Sequence, residues 1–121
     1  MKKHTIFYLL LFFFLISLSG CRKEIVVVET TGDLVVNARD GVGNSLIGTT
    51  VYMYDNRADF NNNLYSLSGI TDNSGQVIFV NLYPAVYYVD CDFISTIGQT
   101  ITITGSGSVS AGYETTITIR P

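Results

Sequence analysis

The chain has 121 residues and a formal net charge of −3, with apolar residues making up 47% of it and charged residues 14%. That is enough chain for one domain with one core and no more. Seven basic residues stand against ten acidic ones with no Lys or Arg cluster in the body, which argues against nucleic acid as a partner.

Met1-Lys2-Lys3-His4 makes a positive start, and residues 6–16 are an almost unbroken run of Leu, Phe and Ile. A charged region followed by a short apolar one is the pattern of a secretory signal. The run falls short of the ~20 residues a spanning helix needs. Residues 17–20 then turn small, and Leu18-Ser19-Gly20-Cys21 resembles the lipobox of bacterial lipoproteins. The resemblance implies a signal peptide over residues 1–20, cleavage before Cys21, and diacylation of the Cys21 sulfur. The new amino group often receives a further acyl chain such as palmitate. Two or more acyl chains make a stable membrane anchor where one is marginal. Arg22 and Lys23 could touch anionic headgroups or simply be solvated. Residue 22 is not the Asp that resembles an inner-membrane retention signal, so the expected destination is the outer membrane.

Loss of the leader removes Lys2, Lys3 and His4, leaving five basic against ten acidic residues (5 − 10 = −5) and no imidazole. Cys91 then has no partner for an internal disulfide once Cys21 is acylated. Asp90 and Asp92 oppose formation of a thiolate, and strand alternation sets Cys91 beside Tyr87, Val89 and Phe93. A buried structural cysteine is expected.

Residues 21–32 are read as the anchor followed by a short tether or a first strand. Glu24-Ile25-Val26-Val27-Val28-Glu29 is β-branched rather than Gly/Ser-rich, which favours pairing onto a sheet. From residue 33 to residue 121 short apolar runs alternate with turn clusters at regular spacing, the pattern of an all-β sandwich. Residues 34–39 read as a strand with Leu34, Val36 and Ala38 on one face, and residues 40–44 as a turn. Residues 49–55 form the next strand, with Val51 and Met53 inward and Tyr52 and Tyr54 outward. Residues 56–63 read as a polar loop holding Arg57, Asp59 and Phe60. Residues 64–71 lead into the tight turn Asp72-Asn73-Ser74-Gly75, and residues 76–82 and 86–93 are strands around a Tyr83-Pro84-Ala85 corner. Residues 100–104 and 114–119 look like a pair flanking a Gly/Ser turn over residues 105–108. No window shows sustained helical periodicity.

Two segments resemble the transthyretin-like, or prealbumin-like, modules that include carboxypeptidase regulatory domains and B-type repeats of bacterial surface proteins. The first is Val36-x-Ala38-x-Asp40-x-x-Gly43-x-x-Leu46-x-Gly48-x-x-Val51. The second is Thr71-Asp72-x-x-Gly75-x-Val77-x-Phe79-x-x-Leu82-x-Pro84-x-x-Tyr87-x-Val89. Ser45 stands where the family often has Pro, and Ala85 where it often has Gly. The resemblance implies a seven-stranded Greek-key sandwich and little about activity, since the fold hosts many functions. The histidines on which hydroxyisourate hydrolases of this fold depend are missing from the mature chain. Lys23, its one lysine, sits beside the anchor rather than in a core strand, so the isopeptide cross-link of surface repeats is not expected.

Candidate sites are few. Tyr52, Tyr54 and Tyr88, with Tyr65, Tyr83 and Tyr113 nearby, offer a face for stacking and adaptable hydrogen bonds, although tyrosine also simply favours strands. Asp55, Asp59 and Asn61 with the turn residue Asp72 supply hard oxygens such as Ca²⁺ prefers, without the spacing of an EF-hand loop. Asn-rich loops also serve as turns. Asp90 and Asp92 share one strand face, roughly 7 Å apart. With no histidine, phosphate loop or evident nucleophile, no enzyme and no cofactor are expected. The expected function is a lipid-anchored envelope module that binds a glycan or an envelope protein. The alternative is an assembly or adhesion subunit that joins a neighbour by strand addition.

Overall fold

The computed structural model describes residues 28–121. The leader, Cys21 and most of the β-branched stretch over residues 24–29 lie outside the described residues. Val28 and Glu29 are exposed and belong to no strand.

Seven strands are described: β1 (Gly32–Ala38), β2 (Thr50–Tyr54), β3 (Leu67–Ile70), β4 (Gln76–Leu82), β5 (Ala85–Ile94), β6 (Thr100–Val109) and β7 (Glu114–Ile119), with one short helix, α1 (Arg57–Asn61). They form a β-sandwich of two sheets, one of order β4-β1-β7 and one of order β3-β2-β5-β6. Neighbours pair antiparallel except β1 and β7, which run parallel. These directions sort the connections. Residues 55–66, 83–84 and 110–113 cap the end where β1 begins, and residues 39–49, 71–75 and 95–99 with residues 120–121 cap the far end.

Alternation places Leu34, Val36 and Ala38 of β1 inward, each fully buried against Val51, Met53, Val89, Cys91 and Ile103 of the facing sheet. Each such aliphatic side chain contributes on the order of 1.5–3 kcal/mol by leaving water. Tyr87 joins this core, and its hydroxyl donates to the Tyr83 carbonyl at 2.6 Å, tying the strand to the corner at Pro84. At the far end Thr71 is the buried polar residue of the core. Its hydroxyl donates to the Leu46 carbonyl at 2.6 Å and accepts from the Thr49 N–H at 2.9 Å, stapling the β1–β2 connection to the end of β3. The tight turn lies at Asp72-Asn73-Ser74-Gly75, with Gly75 at φ 73°, but it carries the chain from β3 in one sheet to β4 in the other and closes no hairpin. Opposite it, at the other end of β4, Asn81 takes φ 57° and donates its N–H to the Asp33 carboxylate, which accommodates a bulge in the β1–β4 ladder.

The last hairpin is not formed as the sequence suggests. Residues 105–108 continue β6, which pairs with β5 along its whole length, while β7 lies in the other sheet beside β1. Packing accounts for the glycines. A Cβ on Gly105 would come within 2.5 Å of Ile119, and one on Gly107 within 2.9 Å of Leu34 and 3.0 Å of Ile117. The bare backbone lets β7 close the sandwich against β6. Thr100, Thr102 and Thr104 of β6 and Thr116 and Thr118 of β7 are all exposed, and they lie on two different sheets rather than in one ladder.

Candidate functional site

The outer face of the four-stranded sheet gathers the residues with recognition chemistry. Register sets Tyr54 opposite Tyr88 and Tyr88 opposite Ser106; one step along, Tyr52, Asp90 and Thr104 form the next row. Beyond them Asp92 pairs with Thr102, whose hydroxyl donates to its carboxylate at 2.5 Å. The hydroxyls of Thr104 and Ser106 belong to exposed residues, and Tyr88 is half-buried.

Over one end of this face lies α1, in the stretch expected to be a plain polar loop. Asn56 caps it: its side-chain oxygen accepts the Asp59 N–H at 2.8 Å, and its amide donates to the Asp59 carboxylate at 3.1 Å. Asn63, at φ 58°, ends the turn. The helix delivers Phe60 onto the sheet, its ring centroid 5.2 Å from that of Tyr54, edge to face, and 5.7 Å from that of Tyr88. Tyr54, on the outer face as alternation requires, is therefore covered rather than solvent-exposed, at 3% exposure. Its hydroxyl donates to both Asp90 carboxylate oxygens, at 3.1 and 3.2 Å. Burial first, then the Asp90 charge, push the Tyr54 phenol up to about 12. Burial also raises the Asp90 carboxyl, against the lowering effect of the Tyr54 hydrogen bond.

Between α1 and the strands a cleft of about 220 Å³ remains, lined by Arg57, Phe60, Tyr88, Thr104, Gly105 and Ser106. It combines two aromatic rings, a guanidinium and two hydroxyls. Its volume is below the ~300 Å³ at which sites for whole small molecules begin, so it suits one ring of a longer ligand. Tyr52 lies outside it, paired with Tyr65 at 4.8 Å. Tyr83 and Tyr113 are exposed on the connections at the end where β1 begins, away from this face.

The oxygen ligands considered for calcium do not converge. Asp72 sits in the far-end turn, its carboxylate accepting the N–H groups of Ser74 and Gln76. Asp55, Asp59 and Asn61 are at the opposite end, where Asp55 accepts from Ser66 at 2.9 Å and Asp59 is engaged by Asn56. Among the described residues no three His, Cys, Asp or Glu side chains gather as a metal site. Cys91 is buried in the core, and its thiol is pushed up to about 11 by burial and by Asp92 and Asp90. Sequence reasoning found Tyr88 but missed Phe60 and Arg57 as partners; the signal was the Asn56-x-x-Asp59 cap followed by an aromatic.

Fold and face together define a seven-stranded β-sandwich module with a small aromatic cleft on one sheet. No protein family matches the chain, and no curated protein does. Among solved structures it is similar to a candidate carbohydrate-binding protein from Pseudomonas aeruginosa, at 14% identity and TM-score 0.55, covering 77% of this chain and 90% of that one. It is also similar to the major pilin subunit BcpA of Bacillus cereus (17% identity, TM-score 0.54, 75% of this chain and 29% of the pilin). The minor pilin GBS52 of Streptococcus agalactiae is a further likeness, at 17% identity and TM-score 0.54, over 78% of this chain and 45% of that one. The chain thus spans less than half of each pilin. These likenesses establish a shared β-sandwich fold.

Proposed function

We propose that the protein is a non-enzymatic binding module of the bacterial envelope, held to the outer membrane by acyl chains on Cys21, that takes a sugar ring into the α1 cleft. The observation that carries this reading is the juxtaposition of Tyr88 and Phe60 with Arg57, Thr104 and Ser106. An aromatic ring stacks on the apolar face of a sugar, and the hydroxyls and guanidinium meet its rim. The similarity to a candidate carbohydrate-binding protein supports the same reading. A transthyretin-like assignment is supported by the second sequence segment, whose Phe79, Leu82 and Tyr87 are all buried and whose Asp72 and Gly75 close the turn.

The test is a glycan microarray probed with the chain from residue 22, followed by calorimetry on any hit. Tyr88→Ala should weaken binding at least tenfold, while Tyr113→Ala, at 73% exposure away from the cleft, should leave it unchanged. Binding that survives Tyr88→Ala would remove the cleft from the proposal.

A second reading, an assembly subunit joined by strand addition, has its own observation. β6 is a ten-residue strand that pairs only with β5 among the described residues, and it contains neither a charge nor a proline. Such an edge accepts a strand readily, and two of the similar structures are pilins.

A further inference from the structure

The α1 cleft opens onto the rest of the outer face of its sheet. Toward the end where β1 begins, one outward row remains beyond Tyr88 and Ser106, that of Val86 and Ser108. Toward the other end the face runs on through the row of Tyr52, Asp90 and Thr104 to that of Asp92 and Thr102. From Tyr88 to Asp92 is about 13 Å of extended strand. There a second hollow, of about 560 Å³, lies over Thr50, Tyr52 and Asp92. One wall of it is the β1–β2 connection. That wall is fixed to the sheet: Gly48 donates its N–H to the Thr71 carbonyl at 3.0 Å, and Thr49 donates to the Thr71 hydroxyl at 2.9 Å.

The chemistry of this hollow resembles that of the cleft. Tyr52 is half-buried and stacks on Tyr65, tilted by 56° with centroids 4.8 Å apart. Register places Tyr52 diagonally across from Tyr88, a separation of about 7–8 Å. Two aromatic pairs, Phe60 with Tyr88 and Tyr52 with Tyr65, therefore share one face. One Asp92 carboxylate oxygen accepts from the Thr102 hydroxyl, and the other has no partner among the described residues. Arg57 thus offers donors at one end of the face and Asp92 an acceptor at the other.

We infer that this face takes a linear, uncharged oligosaccharide laid along β5, one ring in the α1 cleft and later rings over Tyr52 and Asp92. The inference rests on the sugar-binding reading of the cleft and adds the class of sugar, a chain rather than a single ring. Volume and polarity point to this occupant. The cleft holds about 220 Å³, too little for a whole ligand, and the larger hollow lies on the same face. A hydroxyl-rich chain satisfies both the guanidinium and the carboxylate, whereas an anionic chain would be repelled by Asp90 and Asp92. A peptide strand would find no free backbone groups here, because β2 and β5 are paired on both sides.

The test is calorimetry on the chain from residue 22 with N-acetylated chito-, cello-, malto- and xylo-oligosaccharides of one, two, four and six units. A size series of any glycan the microarray identifies is added. In a series that binds, affinity should rise at least tenfold from one unit to six. Tyr52→Ala should weaken binding of the six-unit probe at least fivefold, and the loss should shrink as the probe shortens. Asp92→Ala, at an exposed residue, should show the same dependence on length with at least a threefold loss at six units. It decides the question if Tyr52→Ala melts early. Tyr88→Ala should weaken every length. Equal affinity for one and six units, or losses from Tyr52→Ala and Asp92→Ala that ignore length, would overturn the extended site and leave the cleft reading standing. No binding to any series or any arrayed glycan would overturn both.

Discussion

The two faces of the four-stranded sheet obey the same period of two and yet behave differently. On the inner face Val51, Met53, Val89, Cys91 and Ile103 are at most 2% exposed, because the second sheet covers them. On the outer face coverage is local. Tyr54 is as buried as a core residue because α1 lies over it, while Thr104 and Ser106, two strands across, are exposed. Alternation tells which side of a strand a residue occupies. What covers that side is decided elsewhere in the chain, here by a five-residue helix. The inner face therefore holds the fold, and the partly covered outer face leaves a cleft with accessible polar groups.

The largest effect belongs to the inner layer. Leu34→Ala should cost about 3 kcal/mol, the transfer energy of the lost atoms plus an unfilled cavity. Gly105→Ala should cost about 2 kcal/mol, because the new methyl must displace Ile119 or push β6 and β7 apart. Both are read from the urea midpoint at constant slope. A neutral Gly105→Ala would mean that the glycine serves a turn after all, and that β7 does not pack where it is placed.

Phe60→Ala should have an intermediate effect, about 1–2 kcal/mol, since it removes one ring of a three-ring stack without opening the core. For a domain of this size that lowers Tm by roughly 5–10 °C. It should also abolish glycan binding, which Leu34→Ala should leave intact below its own melting point. If the two variants lost binding alike, the cleft would depend on global stability rather than on its aromatic wall, and the contrast between the faces would collapse.

Much of this could be read from single residues because the information was local. Asp72 and Gly75 announce a tight turn, though not that it crosses from one sheet to the other, and Leu34, Val36 and Ala38 announce a buried face, without reference to any distant strand. The errors occur where a distant strand decides. Gly105-Ser106-Gly107-Ser108 has the composition of a turn, and only Leu34, Ile117 and Ile119 across the layer explain why it is strand. The parallel pairing of β1 with β7 joins the two extremes of the domain and leaves no local mark. Tyr54 reads as outward, correctly by alternation, but its cover arrives from α1, too short for helical periodicity to register. The proposed calcium ligands had compatible chemistry, yet Asp72 and Asp55 belong to opposite ends of the sandwich. The cleft was half legible for the same reason: Tyr88 lies on a strand whose face could be assigned, whereas Arg57 and Phe60 arrive on the helix.

The smallest predicted effect is the most specific to the outer face. Asp90 sits half-buried between Tyr54 and Asp92, and burial raises its carboxyl above the ordinary 3.8, opposed by the Tyr54 hydrogen bond and reinforced by Asp92. A carboxyl with a raised folded value binds its proton more tightly in the native state. Its stabilising contribution is therefore complete below pH 3.8 and is lost as pH rises through the folded value. At neutral pH the ionised Asp90 thus slightly disfavours the fold. Asp90→Asn keeps an acceptor for the Tyr54 hydroxyl and removes the charge. It should raise Tm by a degree or two at pH 7, and the gain should shrink as the pH falls toward 3.8. A variant that melts lower at pH 7 would mean that the charged hydrogen bond to Tyr54 outweighs desolvation. Asp90 would then be a net support of the aromatic cluster, and the outer face would resemble the inner one in being held by its own contacts.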